Sequence, residues 1–358
     1  MLDFPASPTV GQQFTAAGVT WIWDGAKWLP SGLSPTVAPG INDNRVINGD
    51  MRIDQRWNGG NETGTSVYTV DRWQYLGTQN NGFYWGQNIG PPATFAPGFP
   101  YCLGFSTQAP YAPLATDFFK LLQFIEADMV SDFAWGTANA QSVTLSFWVM
   151  ATVAGTYSGA VVNAAGTRSY PFSFALAANV WTKVVVSIPG DTAGSWTTSG
   201  NGASISVNFD LGSGANFHGP ANTWSNGTIT AVTGARGLIT AIGVLYFTGV
   251  KLEIGSVATP YNRQSLAKSM ADCQRYYQVF NSAWISSGYT PASVNVNESY
   301  TFQIMRAVPT VTFFNVVYNN SSGIQSFSTQ SNCVSVAVAA TAAGAASANF
   351  ACTLAAEL

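Results

Sequence analysis

The sequence predicts an all-β protein with a small N-terminal β-hairpin, a central antiparallel sandwich or jelly roll, a short linking helix and a small C-terminal β-sandwich. Three observations predict it. Strict alternation recurs, as in Ile205, Val207, Phe209 and Leu211 against Ser204, Ser206, Asn208 and Asp210, the pattern of a half-buried strand. Turn clusters such as Pro189-Gly190-Asp191, Ser199-Gly200-Asn201-Gly202 and Ser225-Asn226-Gly227 separate the apolar runs. Long helical patterns do not alternate with these runs, which favours antiparallel layers over a parallel α/β sheet.

Residues 1–30 form the first element. Val19, Trp21 and Trp23 alternate, the chain turns at Asp24-Gly25, and Lys27, Trp28 and Leu29 resume the pattern; Asp-Gly between short apolar runs is a hairpin signal. So short a unit cannot build an independent core and is expected to dock on something, with Trp21, Trp23 and Trp28 as its contacts. Residues 31–43, SGLSPTVAPGIND, have the composition of a linker. The sandwich domain is expected over 44–262. Val143, Leu145 and Phe147 alternate there, as do Val250, Leu252 and Ile254, while Phe118, Leu121, Leu122, Ile125 and Met129 have helical spacing and predict one helix packed on the sheets. Lys120, Gln123, Glu126 and Asp128 would lie on its solvent face.

From Asn262 to Phe280 the spacing predicts a second helix, a junction over 263–280. Leu266, Met270, Cys273, Tyr277 and Phe280 make an a/d seam of about two heptads, which serves either an amphipathic connector packed on its own chain or a seam between chains. Residues 281–358 return to β pattern, with strands expected at Val294–Val296, Tyr300–Met305, Thr310–Tyr318, Val334–Val338 and Asn349–Leu354. The small side chains of TAAGAASANF leave this unit dependent on neighbours for burial, which trimerisation would supply.

Composition excludes several functions. Charged residues make up 9% against about 25% in ordinary domains, yet 12 Trp, 14 Tyr and 22 Phe supply a core. With 14 basic residues and a net charge of −3, there is no electrostatic footprint for nucleic acid. No apolar run approaches the ~18 residues of a membrane helix, and MLDFPASPTV lacks the basic and apolar regions of a secretory signal.

Chemistry-bearing groups are scarce. His218 is the single histidine and lies in the loop NFHGP without a nucleophile signature; the four cysteines, Cys102, Cys273, Cys333 and Cys352, show no metal spacing. Three full pairings of those cysteines stay open, Cys333 with Cys352 among them, beside the expectation of buried free thiols. Asn48, Asp50 and Asp54 match no calcium loop and are expected to cap turns and pair with cations. Asp117, Glu126, Asp128 and Asp132 are the carboxylates a glycosidase could use, and no phosphate cradle is present. No cofactor or metal is therefore expected. The remaining signal is aromatic rings on an uncharged polar surface, which suits sugar recognition by stacking and neutral hydrogen bonds. Trp57, Tyr84, Trp85, Trp224, Trp284 and Tyr289 fall in Gly- and Asn-rich segments and are the candidate glycan contacts.

Three stretches carry a resemblance. FPASPTVGQQFTAAGVTWIWDGAKW at 4–28, RVINGDMRIDQRWNGG with YTVDRW at 45–73, and the run from IEADMVSDFAWGTANAQSVTLSFWVMA to FTGVKLEIGSVATPYNRQSLAKSMADCQRYYQ at 125–278 resemble tail fibre or receptor-binding proteins of tailed bacteriophages and prophages. MRAVPTVTFFN at 305–315 is similar to a core strand of the variable domain that follows in that family. The resemblance implies an N-terminal virion-attachment segment, a jelly roll like those of carbohydrate-binding modules and a distal receptor-facing tip, and it carries no catalytic residue. Together with the residues it implies a non-enzymatic homotrimeric fibre or spike. Such a protein is assembled in the bacterial host cytoplasm, sits in the virion, contacts other virion proteins through its N-terminus and binds a host-surface glycan. The alternatives are an architectural head fibre, decoration or tail adaptor, and a polysaccharide depolymerase.

Overall fold

The structure, a computed structural model, describes residues 4–9, 12–16, 19–23, 28–30, 44–80, 82–90 and 92–358. The expected linker 31–43 and the Asp24-Gly25 turn lie outside them. The chain divides into two units, 1–43 and 44–358.

In the first unit Gln13–Ala16, Val19–Trp23 and Trp28–Pro30 form an antiparallel sheet in which Trp23 pairs with Trp28. The last two strands are the expected hairpin; Gln13–Ala16 is additional. Among the described side chains of this unit, rings pack on one another. Phe4 stacks on Trp28 at 5.4 Å and meets Trp21 edge-on at 5.2 Å, and Trp23 lies 5.7 Å from Trp28.

The second unit begins with a jelly-roll sandwich. Its seven-stranded sheet runs in the order Ser225–Asn226, Arg168–Leu176, Gly155–Asn163, Ala203–Asp210, Phe119–Glu126, Gln74–Gly77 and Val67–Tyr68. The five-stranded sheet runs Thr182–Ile188, Val143–Ala151, Val244–Ile254, Leu103–Thr107 and Phe83–Gln87, and neighbours in both are antiparallel. Alternate residues meet between the sheets: Val143, Leu145, Phe147 and Val149 from one, Ile205, Val207 and Phe209 from the other. Burying this face supplies most of the stability at about 25 cal/mol per Å² of apolar surface.

The helix expected around Phe118–Met129 is instead the strand Phe119–Glu126 followed by one helical turn, Ala127–Val130. Both faces of this strand are closed, which blurs a two-residue period into a helical one. Phe119, Leu121 and Ile125 join the inter-sheet core, while Leu122 and Glu126 are buried on the other side. Gln123 is buried too: its amide takes the Ile47 N–H and donates to the Ile47 carbonyl, both at 2.8 Å.

The second helix is Leu266–Gln274, capped by Ser265, whose side chain accepts from the Lys268 N–H. It is shorter than expected. Tyr277 and Phe280 lie on the strand Tyr277–Thr290, so the a/d seam does not exist as a helix face. Cys273 is buried, whereas Leu266 is 60% exposed. Pairing of Tyr277 with Ala355 outweighs helical continuation through two consecutive tyrosines.

The C-terminal sandwich packs the sheet Tyr277–Thr290, Gly344–Ala355, Thr310–Asn319 against the sheet Asn295–Thr301, Cys333–Ala340, Ser321–Gln330. The strands at Tyr277 and Ser321 were not read from sequence, and one strand spans Asn295–Thr301 where two were expected. Ile285, Val336, Val338, Phe350 and Cys352 form its core. The two sandwiches of this unit are clamped by charge. Glu357 pairs with Arg56 at 2.7 Å and with Arg72, and Arg275 pairs with Glu126 at 2.7 Å. The Arg72 guanidinium lies 3.5 Å from the Tyr276 ring and that of Arg56 3.6 Å from the Tyr277 ring. All four cysteines are free thiols.

Candidate functional site

A groove of about 310 Å³ opens on the outer face of the five-stranded sheet, lined by Pro97, Phe99, Trp148, Lys183, Tyr261 and Arg263 among others. Strand alternation positions the floor. Phe147 and Val149 point into the core, so Ser146 and Trp148 point out, and Lys183 is the cross-strand partner of Trp148.

One wall is the connection from Asn88 to Cys102. Trp181 donates its indole N–H to Thr94 O at 2.7 Å, Asn88 N–H donates to Cys102 O at 2.8 Å, and the Tyr246 hydroxyl donates to Gly90 O. Gly249 lets this wall close: it sits at φ +61°, and a Cβ there would be 2.7 Å from the Phe99 ring. Arg263 joins the opposite wall to this one, donating to Asp50 Oδ2 at 3.0 Å and Gly98 O at 2.7 Å, with its guanidinium 5.2 Å over Phe99. Burial and the Asp50 charge raise the Tyr261 hydroxyl, and burial pushes the Cys102 thiol up to about 12, so both stay protonated.

Trp148 differs from most tryptophans of the sandwich. Trp57, Trp73, Trp135, Trp181, Trp196 and Trp224 each donate the indole N–H to a main-chain carbonyl at 2.7–3.1 Å, and Trp85 is fully buried. Trp148 is half-buried and makes no such bond among the described residues. It offers a ring face and a free donor, the two features that stack and orient a polar ring.

The sequence candidates are scattered. Trp85 is in the core with Trp57 packed on it at 5.5 Å, which corrects the expectation that Trp85 is exposed: its strand position faces inward beside Phe83. Trp224 closes one end of the sandwich with Trp135 and Trp196, at 5.1 and 5.5 Å, and is half-buried. Tyr84 is 48% exposed, Trp284 58% and Tyr289 70%, and no two of these three rings touch. Tyr84 is on the same sheet face as Trp148 but three strands away. Trp284 faces outward from the C-terminal sandwich in a row with Asn349 and Val317. Trp21 and Trp28 pack on Phe4, and Trp23 packs on Trp28, within the first unit. Trp148 was missed, although the alternation of Val143, Leu145 and Phe147 already placed it on the outer face.

Groups considered for chemistry hold structural partners. Asp117 accepts from the Tyr111 hydroxyl at 2.6 Å, Leu114 N–H at 2.9 Å and Thr78 Oγ1 at 2.8 Å, which hold its carboxyl down at about 2. Glu126 faces Arg275, Asp132 faces Arg45, and Asp128 caps Gly200 N–H. Glu126 is thus buried at the junction instead of lying on a solvated helix face. His218 is half-buried, its Nε2–H donating to Ser213 O at 2.8 Å, and is not a free loop residue.

No family model matches this sequence, and no curated protein matches it. Among solved structures, the tailspike protein 4 enzymatically active domain of bacteriophage CBA120 aligns over 60% of this chain at 11% identity and TM-score 0.33. This chain spans only 22% of that chain's length. The family 11 carbohydrate-binding module of a Clostridium thermocellum cellulase aligns over 56% of this chain and 99% of its own at 9% identity and TM-score 0.26. Discoidin II of Dictyostelium discoideum aligns over 74% and 86%, at 10% and 0.18. Alignments this distant say nothing about what the present chain binds.

Proposed function

We propose that this chain is a non-catalytic saccharide-binding component of a phage fibre or spike, fixed to the particle through residues 1–30 and acting as a homotrimer. The observation that carries the binding reading is Trp148, an outward ring with an unused donor in a groove walled by Phe99, Pro97 and Tyr261. A single shallow site binds sugar weakly, and three copies convert weak affinity into avidity. The virion role rests on the resemblance at 4–28, 45–73 and 125–278.

Trp148→Ala tests the site. The intact chain should bind its saccharide on a glycan array and the variant should lose at least about 1–2 kcal/mol, the size of one ring-stacking contact. Unchanged binding by a folded variant would move the site elsewhere. Particles whose chain carries Trp148→Ala separate adhesion from architecture, since normal adsorption of such particles after saccharide binding is lost would favour an architectural role. Mass measurement of the intact chain tests the trimer.

A further inference from the structure

We propose that the groove beside Trp148 selects an acidic saccharide, one carrying carboxylate sugars such as uronic or sialic acids. The inference rests on the saccharide reading above and adds the class of sugar. It is drawn from charge balance. Elsewhere in the second unit many cations lie against an acid: Arg45 with Asp132, Arg168 with Asp191, Lys268 with Asp272, Arg56 and Arg72 with Glu357, Arg275 and Arg306 with Glu126.

The groove differs in that Lys183 and Arg263 both line it and no acid does. Asp50 Oδ2 is shared by Arg263 Nε at 3.0 Å and Arg52 Nε at 3.5 Å, so two guanidiniums face one carboxylate. Lys183 is exposed and has no carboxylate partner among the described residues. The neighbouring acid, Glu253, is buried and matched by Lys251 at 3.0 Å, and no residue lining the groove is acidic. A chain of net charge −3 thus keeps uncompensated positive charge next to a half-buried ring with an unused indole donor. A cleft with apolar walls concentrates such a field and favours an anion over its neutral counterpart. Arg263 and Lys183 then recognise the carboxylate while Trp148 takes the sugar face. Nucleic acid fits less well, because a polyphosphate needs a longer basic track than one groove provides.

The test is an array of matched pairs, each uronic- or sialic-acid oligosaccharide beside its carboxyl-reduced neutral twin. It is probed with the intact chain, Lys183→Met and Trp148→Ala at low and high salt. Acidic members should bind at least about tenfold better than their twins, with the advantage shrinking as salt rises. Lys183→Met should weaken acidic binding about three- to tenfold more than it weakens binding of the neutral twins, and Trp148→Ala should weaken both alike. Equal binding of the twins, or no effect of Lys183→Met, overturns this inference and leaves the saccharide reading standing. Failure of the unaltered chain to bind any saccharide on the array overturns that reading itself. Lys183 is on the surface, so thermal melts of its variant should match the parent and exclude misfolding.

Discussion

At the scale of residues, two buried acids respond to pH in opposite directions. Asp117 is held at about 2, chiefly by the Tyr111 hydroxyl with help from Leu114 N–H and Thr78. Its folded value lies below the unfolded one, so its contribution is present above about pH 4 and disappears as pH falls through about 2. Asp117→Asn should lower the melting temperature at neutral pH, and the gap to the parent should close near pH 2. Asp71 behaves oppositely, because burial raises it to about 6 despite Arg56 and Gln55. The folded state holds this proton more tightly, so the stabilisation exists below about pH 4 and is lost as pH rises through about 6. Urea titrations should show the parent losing up to about 3 kcal/mol relative to Asp71→Asn between pH 4 and pH 7.

At the scale of elements, the strand Phe119–Glu126 and the helix Leu266–Gln274 show what a linear pattern conveys. Ala203–Asp210 was legible because its second face, though buried, is built of Ser204, Ser206, Asn208 and Asp210, so alternation of polar and apolar residues survives along it. Phe119–Glu126 was not, since the buried Leu122 lies opposite Leu121 and Ile125, and an apolar residue on the second covered face breaks the two-residue period. The helix was legible up to Cys273, and its end was not, because the strand that draws Tyr277 away comes from residues near 355. The groove wall gives a test at this scale. Gly249→Ala places a Cβ at φ +61° against Phe99 and should cost about 1–2 kcal/mol in urea denaturation. Displacing Phe99 should also weaken saccharide binding, with Trp148 intact.

At the scale of the whole molecule, the junction between jelly roll and C-terminal sandwich makes one body of residues 44–358. Glu357 is shared by Arg56 and Arg72, and Arg72 is almost wholly buried against Tyr276. Glu357→Ala leaves that guanidinium buried without its carboxylate and should cost about 3–5 kcal/mol. Calorimetry should show a single transition for the parent of this unit and two for the variant, as the sandwiches uncouple. A junction was legible near 263–280, but not its ion pairs: Arg56 and Glu357 lie some 300 positions apart in sequence, and each charge alone resembles an ordinary surface residue.

The amino-acid order alone fixed the all-β class, the hairpin around Trp21, Trp23 and Trp28, the alternating strands and the shortage of titrating groups, because these depend on neighbours a few positions away. Folding in three dimensions decided the rest. It sent Trp85 into the core and left Trp148 beside Lys183 and Arg263, and it turned Tyr277 and Phe280 from a helix seam into a strand. Those outcomes depend on which face of a strand a distant segment covers, a quantity that local spacing does not contain.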